Sequence, residues 1–172
     1  QKIMNNKKII FMGSPKIASQ YLDALLKNNL VISAVFTQPP KKKYRGLKII
    51  ESEVHQLANK HNIKVYCPNT FDNDTIEIIS NLNPDLIIVM AYGKLLPKEI
   101  LNLPNFGCIN IHVSLLPRWR GAAPIEYALI NGDKNTGISI IKLIEKLDAG
   151  PIIKQKKVDI EDGCNKNELS QK

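Results

Sequence analysis

Pro84-Asp85-Leu86-Ile87-Ile88-Val89-Met90-Ala91-Tyr92-Gly93 is the stretch whose reading decides the fold of this chain. Pro84 and Asp85 break a preceding helical pattern, and five apolar residues follow with no polar interruption. A strand with one wet face alternates apolar and polar residues, so an unbroken run predicts a strand covered on both faces. Upstream, Lys8-Ile9-Ile10-Phe11-Met12 is a second such run, closed by Gly13-Ser14-Pro15; Ile17, Tyr21, Leu22, Leu25 and Leu26 then recur at helical spacing. Leu30 to Phe36 reads as a strand, Thr37 to Arg45 as a Pro- and Lys-rich loop, and Leu47 to His61 as an amphipathic helix. Ile63 to Tyr66 is a strand, and Asp72 or Asp74 caps a helix carrying Ile76, Ile79 and Leu82. Downstream the pattern predicts a short helix over 95–101, a strand over 106–111, a helix over 124–130, a strand over 137–144 and an antiparallel strand over 152–160. Alternation of strands and helices requires right-handed crossovers, which places the chain in the α/β class with a doubly wound, mostly parallel sheet.

The length of 172 residues suits one domain with a proper core. An apolar fraction of 44% with 23% charged residues excludes disordered, collagenous and coiled-coil chains. No apolar run approaches the ~20 residues of a membrane span, and the start lacks a signal-peptide core, so a cytoplasmic location is expected; a monomer is the expected state. Gln1 is not a natural first residue, which makes Met4 the expected native start. Cys67, Cys108 and Cys164 are unevenly spaced with no Cys-x-x-Cys, so neither a disulfide framework nor a metal site is expected, and the thiols should be reduced and mostly buried. The net charge is +8, and Lys41, Lys42, Lys43, Arg45 and Lys48 cluster with no acidic residue between them. Such a run is either a solvated loop or a surface for a polyanion.

The sequence contains neither Gly-x-Gly-x-x-Gly nor a phosphate-binding Gly-x-x-x-x-Gly-Lys loop, so no nucleotide cofactor is expected. Ligands of open α/β sheets bind at the carboxyl ends of strands, which places the site between 90–93 and 110–112. Asn110 and His112 are two residues apart at the end of a strand, so their side chains point to one side. Such an amide and imidazole can supply two N–H donors to an acyl oxygen that gathers charge in a tetrahedral intermediate. Asp148, in Leu147-Asp148-Ala149-Gly150, completes a plausible acyl-transfer set; its plainer reading is a turn former ahead of Gly150, and both readings can hold. Neither Ser, Cys nor Thr occupies a Gly-x-Ser-x-Gly elbow or sits beside a base, so the attacking group must belong to a substrate.

The Asn-x-His element, Ser114-Leu115-Leu116-Pro117 and the later Asp-Ala-Gly turn resemble, over nearly the whole chain, the folate-dependent formyltransferase family. The continuation Arg118-Trp119-Arg120-Gly121-Ala122-Ala123-Pro124 is most similar to the branch of that family that formylates initiator methionyl-tRNA. The resemblance implies 10-formyltetrahydrofolate as formyl donor, initiator methionyl-tRNA as partner, and Asn110, His112 and Asp148 as catalytic residues. It also implies that the folate runs along Ser114, Leu115, Leu116 and Pro117, with Val89, Met90, Ala91, Tyr92, Gly93, Ile144 and Leu147 lining the pterin end. Lys41, Lys42, Lys43 and Arg45 correspond to a segment that reaches the acceptor stem, and Arg118, Trp119 and Arg120 suit stacking and phosphate contact at an RNA end. Trp119 has a second reading, as a packing residue of its own loop.

Two departures from the family pattern stand out. The basic loop is shorter than its counterpart, and Ile144-Glu145-Lys146-Leu147 replaces the more usual Asp-x-Gly-Leu. The family also continues into a smaller C-terminal β-barrel domain that binds tRNA, so residues 1–172 are expected to be the catalytic domain of a two-domain enzyme. Rival readings are a formyltransferase acting on an amino sugar nucleotide or on glycinamide ribonucleotide, and a non-catalytic RNA-binding domain that keeps the fold alone. The basic cluster and the Arg-Trp-Arg-Gly-Ala-Ala-Pro run weigh against the first two, and an intact Asn110, His112 and Asp148 against the last.

Overall fold

The computed structural model describes residues 7–43 and 48–172, and the chain divides into two compact units that meet in sequence at Cys108. In the first unit, β1 (Ile9–Gly13) lies between β2 (Ile32–Phe36) and β6 (Leu86–Met90), and β2 continues to β5 (Val65–Tyr66), all parallel. The strand order β5-β2-β1-β6 reverses direction of winding beside β1, which is the doubly wound arrangement expected from the sequence. Every residue of β1 and all but the first of β6 are buried, as their unbroken apolar runs require. Helices α1 (Lys16–Lys27) and α2 (Glu53–Lys60) pack on each other, as do α3 (Asn73–Leu82) and α4 (Lys98–Leu101).

Local chemistry fixes the boundaries. The Asp72 carboxylate accepts the Thr75 N–H at 2.9 Å and starts α3; Asn83, with φ 47°, ends it one residue before Pro84. Asp85 then ties the starts of β6 and β1: its carboxylate accepts the Lys8 N–H at 2.9 Å and its own N–H donates to the Lys8 carbonyl at 2.8 Å. Gly13 permits the close approach of β1 and β6, since a Cβ there would stand 2.7 Å from the Met90 carbonyl oxygen.

The basic segment departs from expectation. Lys41–Lys43 is not loop but strand β3, paired antiparallel with β4 (Lys48–Ile50), so the predicted helix over 47–61 begins only at Glu53. Ser52 sets that start: its hydroxyl accepts the His55 N–H at 3.1 Å. Tyr44, Arg45, Gly46 and Leu47 lie outside the described residues. The helix expected over 95–101 is likewise shortened, to Lys98–Leu101, by Pro97.

The second unit is antiparallel. Strand β7 (Cys108–His112) pairs with β8 (Asn135–Lys142), and β8 with β9 (Ile152–Asp159). The strand predicted over 137–144 therefore lies two residues earlier. Helix α5 (Pro124–Ile130) has the predicted bounds, and α6 (Lys166–Leu169) opens with a capping box between Asn165 and Glu168. Among the described residues no helix is long and apolar enough to cross a membrane. All three cysteines are free, but only Cys108 is buried.

Candidate active site

Pairing of β7 with β8 places Asn110 opposite Ile141 and His112 opposite Ser139, so both candidate side chains share the face set by their two-residue spacing. The structure brings Asp148 to them. Its Oδ1 accepts from Asn110 Nδ2 at 3.3 Å, its Oδ2 accepts from the Gly121 N–H at 3.0 Å, and Oδ2 lies 3.8 Å from His112 Nδ1. His112 and Asp148 are each 6% exposed. Asp148 adopts φ 45°, a conformation that aspartate tolerates better than bulkier residues. The turn after it depends on Gly150, where a Cβ would stand 1.7 Å from the Lys142 carbonyl oxygen.

His112 Nε2 lies 2.8 Å from the Trp119 carbonyl. A carbonyl only accepts, so Nε2 carries a proton and donates it there, leaving Nδ1 on the Asp148 side. At 3.8 Å the Nδ1 to Asp148 distance exceeds a hydrogen bond. The ring is thus oriented by a loop carbonyl on one side and faces a buried carboxylate on the other.

The loop that supplies this carbonyl is held by residues that motif reading passed over. The Ser139 hydroxyl donates to the Ser114 carbonyl at 2.6 Å and accepts the Leu116 N–H at 3.0 Å. Gln155 on β9 donates to the Leu116 carbonyl at 2.9 Å and to Ser139 Oγ at 2.8 Å. Ser114 donates to the Arg118 carbonyl at 2.7 Å. Asp133 takes Arg118 through two hydrogen bonds, 3.0 Å from Nε and 2.7 Å from Nη2, and the Trp119 indole N–H at 2.7 Å. The available signal was register: Ser139 pairs with His112 on one side and Gln155 on the other, a polar row across an otherwise isoleucine-rich sheet.

Trp119 stacks on Tyr127 with centroids 5.4 Å apart, and the Arg118 guanidinium lies 4.2 Å from the Trp119 ring centroid. Arg118 and Trp119 are therefore engaged within their own unit, and Arg120 is exposed. Among the remaining predicted residues of this unit, Leu115 is half-buried, Leu116 is buried, and Pro117, Ile144 and Leu147 are exposed.

In the first unit, Val89 to Gly93 leave the carboxyl end of β6, beside the point where winding reverses. Val89, Met90 and Tyr92 turn their side chains into the interior, while Ala91 and Gly93, with φ 46° and 78°, are exposed. A ligand there meets backbone rather than those three side chains. Burial pushes the Tyr92 hydroxyl up to about 12, and the hydroxyl has no hydrogen-bond partner among the described residues. Gln38 donates to the Tyr92 carbonyl at 2.8 Å and steadies the turn. Lys41 is exposed on β3; the side chains of Lys42 and Lys43, and Arg45 as a whole, lie outside the described residues. Among the described residues, no cluster of three or more His, Cys, Asp or Glu side chains is arranged to hold a metal ion.

Residues 7–172 match the family model described as formyl transferase. The chain is 47% identical over 167 residues to the methionyl-tRNA formyltransferase of Prochlorococcus marinus strain MIT 9215, covering 96% of this chain and 51% of that protein. It is 52% identical over 158 residues to the enzyme of the same name from Buchnera aphidicola, covering 91% of this chain and 50% of that one. The chain thus spans about half the length of the curated relatives it matches. Among solved structures, a phosphoribosylglycinamide formyltransferase from Bacillus halodurans superposes with TM-score 0.77 at 22% identity, covering 96% of this chain and 86% of that one. A sugar N-formyltransferase from a Shewanella species gives TM-score 0.69 at 19% identity, covering 96% and 62%. These two likenesses show a shared fold only. With the family model matched from residue 7 to the last, the chain belongs to the formyl transferase family.

Proposed function

We propose that this chain carries the site that transfers a formyl group from 10-formyltetrahydrofolate to the α-amino group of methionine on initiator tRNA, in a cytoplasmic monomer. The observation that carries the reading is the buried Asp148 carboxylate, bonded to Asn110 and facing His112 Nδ1. Among the described residues near Asn110 and His112, the buried hydroxyls of Ser114 and Ser139 are both engaged in holding the loop, which leaves the role of attacker to a substrate. The substrate amine then attacks the formyl carbon directly. A carbon–nitrogen bond forms to the methionine amine, the bond from the formyl carbon to the carrier nitrogen breaks, and the amine proton ends on that carrier nitrogen. Asn110 keeps a second N–H for the carbonyl oxygen as it gains charge. Because Nε2–H of His112 is held by Trp119, the ring donates from Nδ1 only when protonated, and Asp148 is placed to balance that charge. Asp148 also provides a base, through a water, for the proton leaving the amine.

The names of the relatives and the Arg118 to Pro124 sequence support tRNA as acceptor over a nucleotide-sized amine. Ser114 to Pro117, Ile144 and Leu147 in the second unit, and Val89 to Gly93 in the first, are the residues we assign to the folate donor, and Lys41, Lys42, Lys43 and Arg45 to tRNA phosphates. The deciding experiment offers the full-length protein 10-formyltetrahydrofolate with methionyl initiator tRNA, glycinamide ribonucleotide or an amino sugar nucleotide in parallel. Product on the tRNA alone is expected, and product on either small acceptor instead would overturn the assignment. Affinity for tRNA should also fall steeply with salt, and replacing the four basic residues by Ala should flatten that dependence by roughly one unit of slope per lost phosphate contact.

A further inference from the structure

We propose that Asp133 is a positioning residue for the transfer reaction, acting on His112 through the Trp119 carbonyl. The proposal rests on the reading of His112 as part of the transfer site. Trp119 has φ 57°, a left-handed conformation unusual for a bulky side chain, and such strain persists only where the surroundings fix it. Here they do so from three sides. The indole N–H is held by Asp133 at 2.7 Å, one ring face lies against Tyr127, and Arg118 lies over the ring, itself held by the same carboxylate through two bonds.

What the strained residue delivers is its backbone carbonyl, 2.8 Å from His112 Nε2. Two residues on, the N–H of Gly121 reaches Asp148 Oδ2 at 3.0 Å, so the same short segment supports both partners of the pair. Asp133 stands between α5 and β8, has Arg118 and Trp119 rather than Asn110, His112 or Asp148 as its hydrogen-bond partners, and has a side chain 15% exposed. Without its carboxylate the indole N–H and the guanidinium lose their anchor, Trp119 can leave its strained conformation, and the acceptor that selects the Nε2–H form of His112 moves. Imidazole orientation matters because transfer needs Nδ1 on the Asp148 side.

The test reads the tautomer of His112 in the full-length protein from long-range proton–nitrogen NMR correlations of its histidines, assigned by the signal lost in His112→Ala. The parent should show Nε2–H when neutral. Asp133→Ala should replace that single signature by a mixture and lower kcat by about ten- to a hundredfold, with KM for the folate donor unchanged. A folded Asp133→Ala protein with the parent tautomer signature, or one with a changed tautomer and parent kcat, would overturn the proposal. Should that variant fail to fold, Asp133→Asn and Trp119→Phe remove the paired guanidinium anchor and the indole donor separately, and each is expected to shift the same signal. The tautomer readout uses no substrate. An enzyme inactive on methionyl-tRNA would therefore sink the functional reading while still testing the clamp.

Discussion

Strand β1 in the first unit has all five of its residues buried, whereas β9 in the second, eight residues long, has none. Between these extremes lie two ways of building with sheets. In the first unit the central strands β1 and β6 are sealed on both faces, and Val89, Met90 and Tyr92 at the end of β6 point inward, so a ligand there meets turn backbone rather than those three side chains. In the second unit the antiparallel ladder ends on exposed β9 and carries a polar row, buried His112 and Ser139 and exposed Gln155, in which Ser139 and Gln155 hold a loop. The first unit is built on sealed apolar strands, and the buried polar candidate residues gather in the second.

The largest expected effect tests the first half of that contrast. Phe11→Ala in β1 removes a fully buried ring and should lower the unfolding free energy by about 3–5 kcal/mol. Lys156→Ala, on exposed β9, should change it by less than about 0.5 kcal/mol. Denaturant titration of both variants measures the difference, and similar losses in the two would dissolve the contrast.

The second half is tested by turnover. Asn110→Ala and His112→Ala should each lower kcat by ~10²–10³ with little change in KM for the folate donor, because the contacts they lose form only as the carbonyl oxygen gains charge. Asp148→Asn keeps the shape but removes the charge facing His112 Nδ1, so its rate should fall and the pH profile of kcat should change. Parent turnover in either alanine variant would remove the oxyanion reading, and an unaltered pH profile in Asp148→Asn would reduce Asp148 to its turn.

The same contrast explains what could be read before the fold was known. Unbroken apolar runs have one solution, burial on both faces, so β1 and β6 were legible from composition alone. Asn110 and His112 were legible because strand spacing puts alternate residues on one face. The hairpin of β3 and β4 was not, since Lys41-Lys42-Lys43 has no apolar alternation to declare a strand and Ile49 and Ile50 also fit a helix. Ser139, Gln155 and Asp133 were hidden for another reason. Each acts through a partner distant in sequence, from 14 to 39 residues away, and nothing local marks the role.

The smallest predicted effect concerns protons rather than side-chain truncation. Both units hold an aspartate below its ordinary value of 3.8: Asp72 in the first, chiefly through the Thr75 backbone N–H at the start of α3, and Asp133 in the second, chiefly through the Arg118 guanidinium and then the Trp119 indole. A carboxyl lowered in the folded protein adds stability above its ordinary value, and that contribution is lost as pH falls through the lower folded value. The loss at Asp133 is therefore confined to pH below about 4. It should also be modest, because Arg118 is 58% exposed and water screens the pair. Asp133 differs from Asp72 in having a reporter, since Trp119 is the chain's single tryptophan and bonds to it directly. Acid titration of tryptophan fluorescence should show a step with a midpoint below 3.8 in the parent and none in Asp133→Asn. A midpoint at or above the ordinary value would mean that the carboxylate gains nothing from Arg118 and Trp119, leaving the loop from Ser114 to Gly121 held by the Ser139 and Gln155 network alone.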